Sequence, residues 1–155
     1  MAQLIQMVYV SRSTFAGPEY FRGNIEPNAG KILLKSRVNN RNNGLTGVLC
    51  FGDGCFFQCL EGEEDAIHHL LLKLKEDPRH SDLTVLRQNP IRTRSFGNWE
   101  MKFVAVEGPM MKWLESLGYE RFDPYQFDRP MVQLVLDFLG SVENVLNFKA
   151  GDETS

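Results

Sequence analysis

The sequence lacks the features that mark several large classes of protein. No apolar run in its 155 residues reaches the ~20 residues that a membrane-spanning helix requires. The opening residues, MAQLIQMVYV, lack the basic block, apolar block and cleavage site of a secretion signal. Acidic residues outnumber basic ones by 20 to 17, which gives the chain as a whole no basic footprint for nucleic acid. We therefore predict a cytoplasmic protein that binds neither membrane nor nucleic acid.

Cysteine is scarce, and the motifs of catalytic and metal sites are missing. Cys50, Cys55 and Cys59 are odd in number, and without a secretion signal they predict no disulfide framework. Together with His68 and His69 they do not match the spacing of a zinc site, so we interpret them as small buried strand residues. The sequence shows neither a nucleophile with a base at recognisable spacing nor a Gly-rich phosphate loop. It predicts neither a metal site nor an enzyme.

What is present is ordinary for one globular domain, with 43% hydrophobic and 24% charged residues. The spacing of apolar residues and turn signals such as Gly52-Asp53-Gly54 predict the elements. The predicted strands cover residues 4–11, 45–51, 55–60, 82–88 and 99–106, the predicted helices residues 28–40 and 63–76, and a loop residues 12–26. This β-α-β-β-α-β-β order predicts an α+β fold, a ferredoxin-like sandwich with one added strand.

Two further helices are predicted after the last strand, over residues 109–118 and 129–148. The second helix has an apolar stripe that must be covered, either by the open face of the sheet or by another subunit. The stripe consists of Met131, Leu134, Val135, Phe138, Leu139, Val142, Val145 and Leu146. The predicted division is a domain over residues 1–106, a helical extension over 107–150 and a frayed tail over 151–155.

Two polar side chains fall on strand faces that are otherwise apolar. Gln58 shares a face with Phe56 and Leu60, so its amide is predicted to be buried. Each unpaired amide group would cost about 1–3 kcal/mol, so Gln58 needs polar partners inside the protein. Tyr9, on the face of Met7, poses the same question for its hydroxyl. Either residue can be structural or a ligand contact, and the pattern alone leaves both open.

Three further groups of residues have an ordinary interpretation and a functional one. An asparagine pair ends a helix by default, an Arg-His pair after a helix lies in a solvated loop, and an aromatic stripe belongs to the core. Each group could instead contact a ligand. The groups are Asn39 with Asn40, Arg79 with His80, and Trp99 with Met101 and Phe103. The last three are predicted to share one face of the last strand, with Glu100 and Lys102 on the opposite face.

Six short motifs follow one another between residue 4 and about residue 105. They are Tyr-x-Ser at 9–11, Asn-Asn at 39–40, Leu-Thr-Gly at 45–47, Phe-Phe-Gln-Cys-Leu-Glu-Gly at 56–62, Asp-x-Arg-His at 77–80 and Phe-x-x-Trp-x-Met at 96–101. Each is short, but six in this order are specific. In them the chain resembles the BLUF family, the blue-light sensors using FAD. The family fold is the ferredoxin-like sandwich already predicted, with the flavin between its two helices.

By position, Tyr9 and Gln58 resemble the photochemical pair of that family. The resemblance implies that the light-excited flavin takes an electron from Tyr9 and then a proton through Gln58. The flavin chemistry ends where it began, but the hydrogen bonds of Gln58 do not. The resemblance thus implies a blue-light photoreceptor that works as a two-state switch.

The resemblance also implies roles in flavin binding and in the signal. FAD is the family default, although FMN or riboflavin can also bind if most contacts are with the ring. Trp99 and Met101 resemble the pair whose positions are proposed to change on illumination. The residues expected to bind the flavin are Tyr9, Ile32, Ser36, Asn39, Asn40, Gln58, Arg79, His80 and Met101.

The output is expected to reach a separate signalling protein of unknown identity. About 50 residues follow residue 106, too few for a cyclase or phosphodiesterase domain. By analogy with short members of the family, we also expect a homo-oligomer, and a signal route through residues 95–100 and 107–130. Two alternatives stay open: a light-independent flavin protein with redox activity, and an interaction module of the same fold without a cofactor.

Overall fold

A computed structural model describes residues 3–14, 27–78, 80–106 and 108–142. In these ranges the chain forms a five-stranded sheet with helices on both faces. The strands are β1 (Leu4–Ser13), β2 (Thr46–Gly52), β3 (Cys55–Glu63), β4 (His80–Pro90) and β5 (Lys102–Ala105). The helices are α1 (Pro27–Asn43), α2 (Glu64–Glu76), α3 (Pro109–Ser116) and α4 (Arg129–Ser141), with a 3₁₀ turn at Pro124–Gln126. The predicted element order is confirmed.

The strand order in the sheet is β4-β1-β3-β2-β5. β1 is antiparallel to both β3 and β4, β2 is antiparallel to β3, and β5 is parallel to β2. The first four strands therefore have the ferredoxin-like arrangement, in which each helix connects two strands that run the same way. β5 is added at the edge beside β2, as the fold prediction requires.

Two glycines set the geometry of the β2–β3 hairpin. Asp53 and Gly54 form its turn with φ of 48° and 75°, and two positive φ values are what a type I′ turn needs. On β2, a Cβ atom at Gly47 would lie 2.0 Å from the carbonyl oxygen of Cys59 on β3. Any side chain at position 47 would therefore push the two strands apart.

Side chains alternate between two separate apolar layers, one on each face of the sheet. The α1/α2 face is built from Ile5, Met7, Tyr9, Ile32, Leu33, Leu45, Leu49, Phe51, Phe56, Leu60, Ile67, Met101 and Phe103. The α3/α4 face includes Val8, Val10, Val48, Cys50, Phe57, Cys59, Val104, Leu114, Met131, Val132, Val135, Leu136 and Leu139. All three cysteines are buried and free, so their interpretation as strand core residues is confirmed.

The helix α4 covers the α3/α4 face of the sheet. Asp128 caps its first turn, because the carboxylate accepts a hydrogen bond from the amide of Met131 at 2.9 Å. The stripe is rotated from the predicted one: Val132 and Leu136 are buried, while Leu134 is 48% exposed. The helix ends at Ser141, earlier than predicted, and Val142 is extended. Residues 143–148 of the predicted helix and the predicted tail 151–155 lie outside the described residues.

The last strand is shorter than predicted, and this changes the position of Trp99. β5 begins at Lys102, where its pairing with Val48 of β2 starts. Before that point, the carbonyl of Trp99 accepts a hydrogen bond from the amide of Gly47 at 3.2 Å, outside the regular ladder. Strand alternation therefore does not extend to residue 99. The prediction that Trp99 and Met101 share one face was wrong, because Trp99 packs on the α3/α4 face and Met101 on the α1/α2 face.

Candidate functional site

Tyr9 and Gln58 lie directly opposite each other on the two central strands, β1 and β3. Tyr9 is fully buried and Gln58 is 3% exposed, both on the α1/α2 face. The Tyr9 hydroxyl has no hydrogen-bond partner among the described residues. Burial, and secondarily the negative charge of Asp77, raise the pKa of Tyr9 far above its ordinary value. The phenol therefore keeps its proton near neutral pH, with its hydroxyl available to a ligand.

Gln58 has a weak partner for a buried amide. Its Nε2 atom donates to the sulfur of Met101 at 3.9 Å. A thioether sulfur is a poor acceptor compared with a carbonyl or carboxylate oxygen. A better acceptor or donor placed beside Gln58 would compete with this contact, so the amide can exchange its hydrogen bonds at small cost.

Asn40 lies in the last turns of α1 and is 1% exposed. Its Nδ2 atom donates to the carbonyl of Glu100 at 2.5 Å, while Oδ1 has no partner among the described residues. This buried acceptor is the second polar atom on the α1/α2 side that lacks a partner in the described part of the chain. Burying such an atom without a donor costs about 1–3 kcal/mol, which a ligand with an N–H group would recover.

Asn39 does not join this group. The side-chain amide of Asn43 donates to its carbonyl at 2.8 Å and to its Oδ1 at 3.2 Å, which ties Asn39 to the end of its own helix. α1 also continues to Asn43, so the prediction that the asparagine pair ends the helix was wrong. The helix stops instead at Gly44, whose φ of 67° is the left-handed conformation of a helix end.

Two other predicted residues of α1 differ in burial. Ile32 is buried in the α1/α2 core, and Ser36 is half-buried. Arg37 was not among the predicted site residues, but it is also buried. Its Nε atom donates to the carbonyl of Met101 at 3.0 Å. The signal that could have found Arg37 is its helical spacing, because it follows Leu33 by four residues and precedes Asn40 by three.

His80 opens β4 near one end of the site. Its Nδ1 atom lies 2.9 Å from the hydroxyl of Ser11, which belongs to the Tyr-x-Ser motif. Its ring centroid is 4.8 Å from that of Phe56. Ser11 follows Tyr9 by two positions, so it shares the strand face of Tyr9 and lies about 7 Å further along β1. His80 is opposite Ser13 and therefore lies beyond Ser11 on the same side of Tyr9. The predicted residue Arg79 lies outside the described residues.

The structure connects four of the predicted residues, Tyr9, Gln58, Met101 and Asn40, through a short chain of contacts. Tyr9 is paired with Gln58, and Gln58 contacts the side chain of Met101. α1 in turn holds the backbone of the segment before β5, through Arg37 at Met101 and through Asn40 at Glu100. No group of three or more His, Cys, Asp or Glu suited to a metal ion occurs within the described ranges.

Buried polar atoms without a partner among the described residues, on the helix-covered face of a ferredoxin-like sheet, are what a domain that binds a small ligand would have. Comparison with known proteins identifies the family. The family model described as "Sensors of blue-light using FAD" matches residues 4–102. The chain belongs to the BLUF family.

Curated relatives support the same assignment. The chain is 33% identical over 116 residues to photoactivated adenylate cyclase subunit beta of Euglena longa, covering 70% of this chain and 13% of that protein. It is 34% identical over 100 residues to subunit alpha of Euglena gracilis, covering 64% of this chain and 9% of that protein. The chain thus spans about a tenth of the length of the curated relatives it matches.

Solved structures match over almost the whole chain. BlsA in its ground state superposes with a TM-score of 0.81 at 27% identity, covering 98% of this chain and 99% of that one. BlrB, a BLUF protein in its dark state, gives 0.71 at 26% identity, covering 91% and 98%. The ferredoxin-like prediction is confirmed.

Family membership fixes the general function. BLUF proteins are blue-light sensors that use a flavin, with FAD as the defining cofactor. The match to the cyclase subunits is confined to a small part of their length, and the matched family senses light, so the prediction of a blue-light sensor is confirmed. None of the described helices is long and apolar enough to cross a membrane.

Proposed function

We propose that this chain binds a flavin under α1 and α2, and that Tyr9 and Gln58 are its light-sensitive pair. The observation that supports this most strongly is the pair of buried polar atoms, the Tyr9 hydroxyl and Asn40 Oδ1, that lack a partner among the described residues. A flavin ring has apolar faces and a polar edge with both donors and acceptors. An apolar layer with a few unpaired polar atoms suits such a ligand.

The residues that would hold the ring follow from the same face of the structure. Asn40 offers an acceptor, Gln58 offers both donors and an acceptor, and Ile32 offers apolar surface. His80, at the end of β4, and Arg79, beside it in the sequence, are proposed for the far end of the cofactor, where a guanidinium suits phosphate. FAD is the proposed cofactor, and FMN remains compatible with contacts mainly to the ring.

The proposed switch is a lasting change in the hydrogen bonds of Gln58, which Tyr9 initiates. When bound, the flavin supplies the absorption of blue light and an excited state that oxidises a nearby phenol. Tyr9 would supply an electron and its hydroxyl proton to the bound flavin, and both would return to Tyr9 afterwards. Burial raises the pKa of Tyr9, so the hydroxyl carries its proton in the dark. Gln58 sits opposite Tyr9 and can pass the proton and then settle in a different hydrogen-bond arrangement. Its weak contact with Met101 at 3.9 Å offers little resistance.

We also propose that the signal leaves the domain for a separate protein, as residues 109–141 pack on the opposite face of the sheet and carry no described site of their own. The proposed sensor domain is residues 1–106, and the proposed extension is residues 107–150. Self-association and a cytoplasmic location stay predictions.

The experiment is absorption spectroscopy of the chain purified in the dark. We expect a yellow protein with oxidised flavin, whose spectrum shifts reversibly to longer wavelength after blue light. The identity of the flavin is read by chromatography of the released cofactor. A colourless protein that takes up neither FAD nor FMN would contradict flavin binding, and a yellow protein with no reversible shift would contradict the switch.

A further inference from the structure

Lys102, the first residue of β5, is a buried lysine on the α3/α4 face. It is 1% exposed, and its ammonium group donates to the carbonyl of Leu139 at 2.8 Å and to that of Val142 at 2.5 Å. The same nitrogen lies 4.4 Å from the centroid of the Trp99 ring. Burial lowers the pKa of Lys102. A buried ammonium is expensive unless it is partnered, so these contacts are what keep the side chain in place.

The two carbonyls belong to the end of α4. The last carbonyls of a helix have no partner within the helix, and they form the negative end of its dipole. α4 ends at Ser141, and Val142 already has an extended conformation. Lys102 therefore closes the C-terminal end of α4 from a strand that lies far earlier in the chain.

The residue before Lys102 belongs to the light-sensitive side of the sheet. The side chain of Met101 contacts Gln58, and its carbonyl accepts from Arg37 at 3.0 Å. Met101 is buried on the α1/α2 face and Lys102 on the α3/α4 face. Their Cα atoms are about 3.8 Å apart, so a shift of the backbone at Met101 also moves the backbone of Lys102.

We infer that Lys102 is the positioning residue that couples Gln58 to α4: movement of Met101 withdraws the ammonium from Leu139 and Val142 and loosens the end of α4. This inference rests on the proposed function, because Gln58 is the trigger. It names a site of output, the last turn of α4 with Val142, where the released carbonyls become available to a partner. Trp99, packed over the ammonium, would be displaced in the same step.

The test compares two readouts in one set of proteins. The red shift after blue light reports the flavin site, and hydrogen exchange of the backbone amides of residues 139–142 reports the end of α4. In the unaltered chain we expect exchange at these amides to become about tenfold faster in the light, because the end of α4 loosens when its carbonyls lose the ammonium of Lys102. The amides of β3 should not change.

Lys102→Met keeps an unbranched apolar stem and removes the ammonium. We expect a normal red shift, with fast exchange at residues 139–142 already in the dark and no further change in the light. Lys102→Arg keeps a charged donor and should restore part of the difference between light and dark. Lys112→Met, on an exposed position of α3, is the matched control and should behave like the unaltered chain.

The outcomes separate the two levels of the proposal. No red shift in the unaltered chain would overturn the proposed function, and the coupling with it. A normal red shift with no light-dependent exchange at residues 139–142 of the unaltered chain would overturn the coupling alone, even if no variant folds. A light–dark difference that survives in Lys102→Met would also overturn it.

Discussion

The two faces of the sheet treat their buried polar groups differently. On the α1/α2 face, the Tyr9 hydroxyl and Asn40 Oδ1 have no partner in the described part of the chain, and the amide of Gln58 donates to the thioether sulfur of Met101. On the α3/α4 face, the fully buried carboxylate of Glu61 accepts from the side chain of Gln6 and from two backbone amides. Glu61 is thus fully paired at the centre of one face, whereas the Tyr9 hydroxyl and Asn40 Oδ1 are unpaired on the other; the atoms without a described partner on the α3/α4 face, Arg87 Nε and Asn89 Oδ1, lie on the edge strand β4.

This difference in hydrogen bonding indicates on which face of the sheet a ligand would bind. Folded proteins pair the great majority of their buried polar atoms, so several unpaired atoms together need an explanation. On the α3/α4 face, Glu61 and Lys102 use protein partners throughout, which is typical of groups that hold structure together. On the α1/α2 face the missing partners mark the side from which a flavin would complete the hydrogen bonds.

The largest expected effect is on the light response. Tyr9→Phe removes the buried hydroxyl, and with it the donor of both electron and proton, while it leaves the shape of the α1/α2 face unchanged. We expect the variant to retain flavin and to show no stable red shift after blue light. Tyr119→Phe, a half-buried tyrosine on the other face, is the control. A stable red shift in Tyr9→Phe would remove Tyr9 from the switch.

The next largest effect is on stability and tests the paired polar groups of the α3/α4 face. In the unaltered chain the carboxylate of Glu61 lies 2.7–2.9 Å from its three donors, the amides of Ser95 and Phe96 and the side chain of Gln6. Glu61→Ala removes the acceptor of all three. We expect the free energy of unfolding to fall by roughly 3 kcal/mol or more, because several buried donors lose a charged partner at once. Urea denaturation measures it, with the exposed Glu115→Ala as control. A loss equal to that of the control would show that the network is not stabilising.

A smaller effect is expected on flavin affinity, and neighbouring asparagines provide a matched pair. Asn40→Ala removes the buried acceptor and should weaken flavin binding by about tenfold, corresponding to one hydrogen bond in a buried site. Asn39→Ala should bind flavin as the unaltered chain does, since Asn39 is bonded to Asn43. Titration of the cofactor-free protein followed by flavin fluorescence gives both affinities. Equal losses in the two variants would contradict the placement of Asn40.

The smallest effect concerns the exposed ion pair that joins α1 to the segment before β5. Arg41 donates to both carboxylate oxygens of Glu100, at 2.8 and 2.9 Å, and this lowers the pKa of Glu100. A lowered pKa means that the pair stabilises the folded chain when Glu100 is ionised and loses this contribution as the pH falls through the folded-state pKa. Because both side chains are exposed, Glu100→Gln should cost less than about 1 kcal/mol at neutral pH. Unfolding at neutral and at acidic pH tests this, and a loss that persists in acid would contradict the ionic explanation.

Much of the site could be predicted from strand alternation. The period of two placed Gln58 on a buried face of β3, and the structure confirms that burial. The same reasoning failed at Trp99, because alternation holds only inside a paired strand and pairing begins at Lys102. The start of a short edge strand depends on its neighbour, which local sequence does not reveal.

Charged residues were the other source of error. Arg37 was not selected because arginine is rarely buried, and its burial here depends on the carbonyl of Met101, which is remote in sequence. Lys102 was placed on the opposite face from Met101, but nothing local predicted that α4 would bury its ammonium. Partners of this kind become visible only once the elements are assembled.

The most direct test of the account is the light response of Gln58→Leu, which fills the same place with an apolar side chain. We expect a yellow protein with normal flavin content and no red shift after blue light, while Gln88→Leu, at an exposed position of β4, should respond like the unaltered chain. A normal, reversible red shift in Gln58→Leu would contradict the claim that the α1/α2 face reads light through this amide.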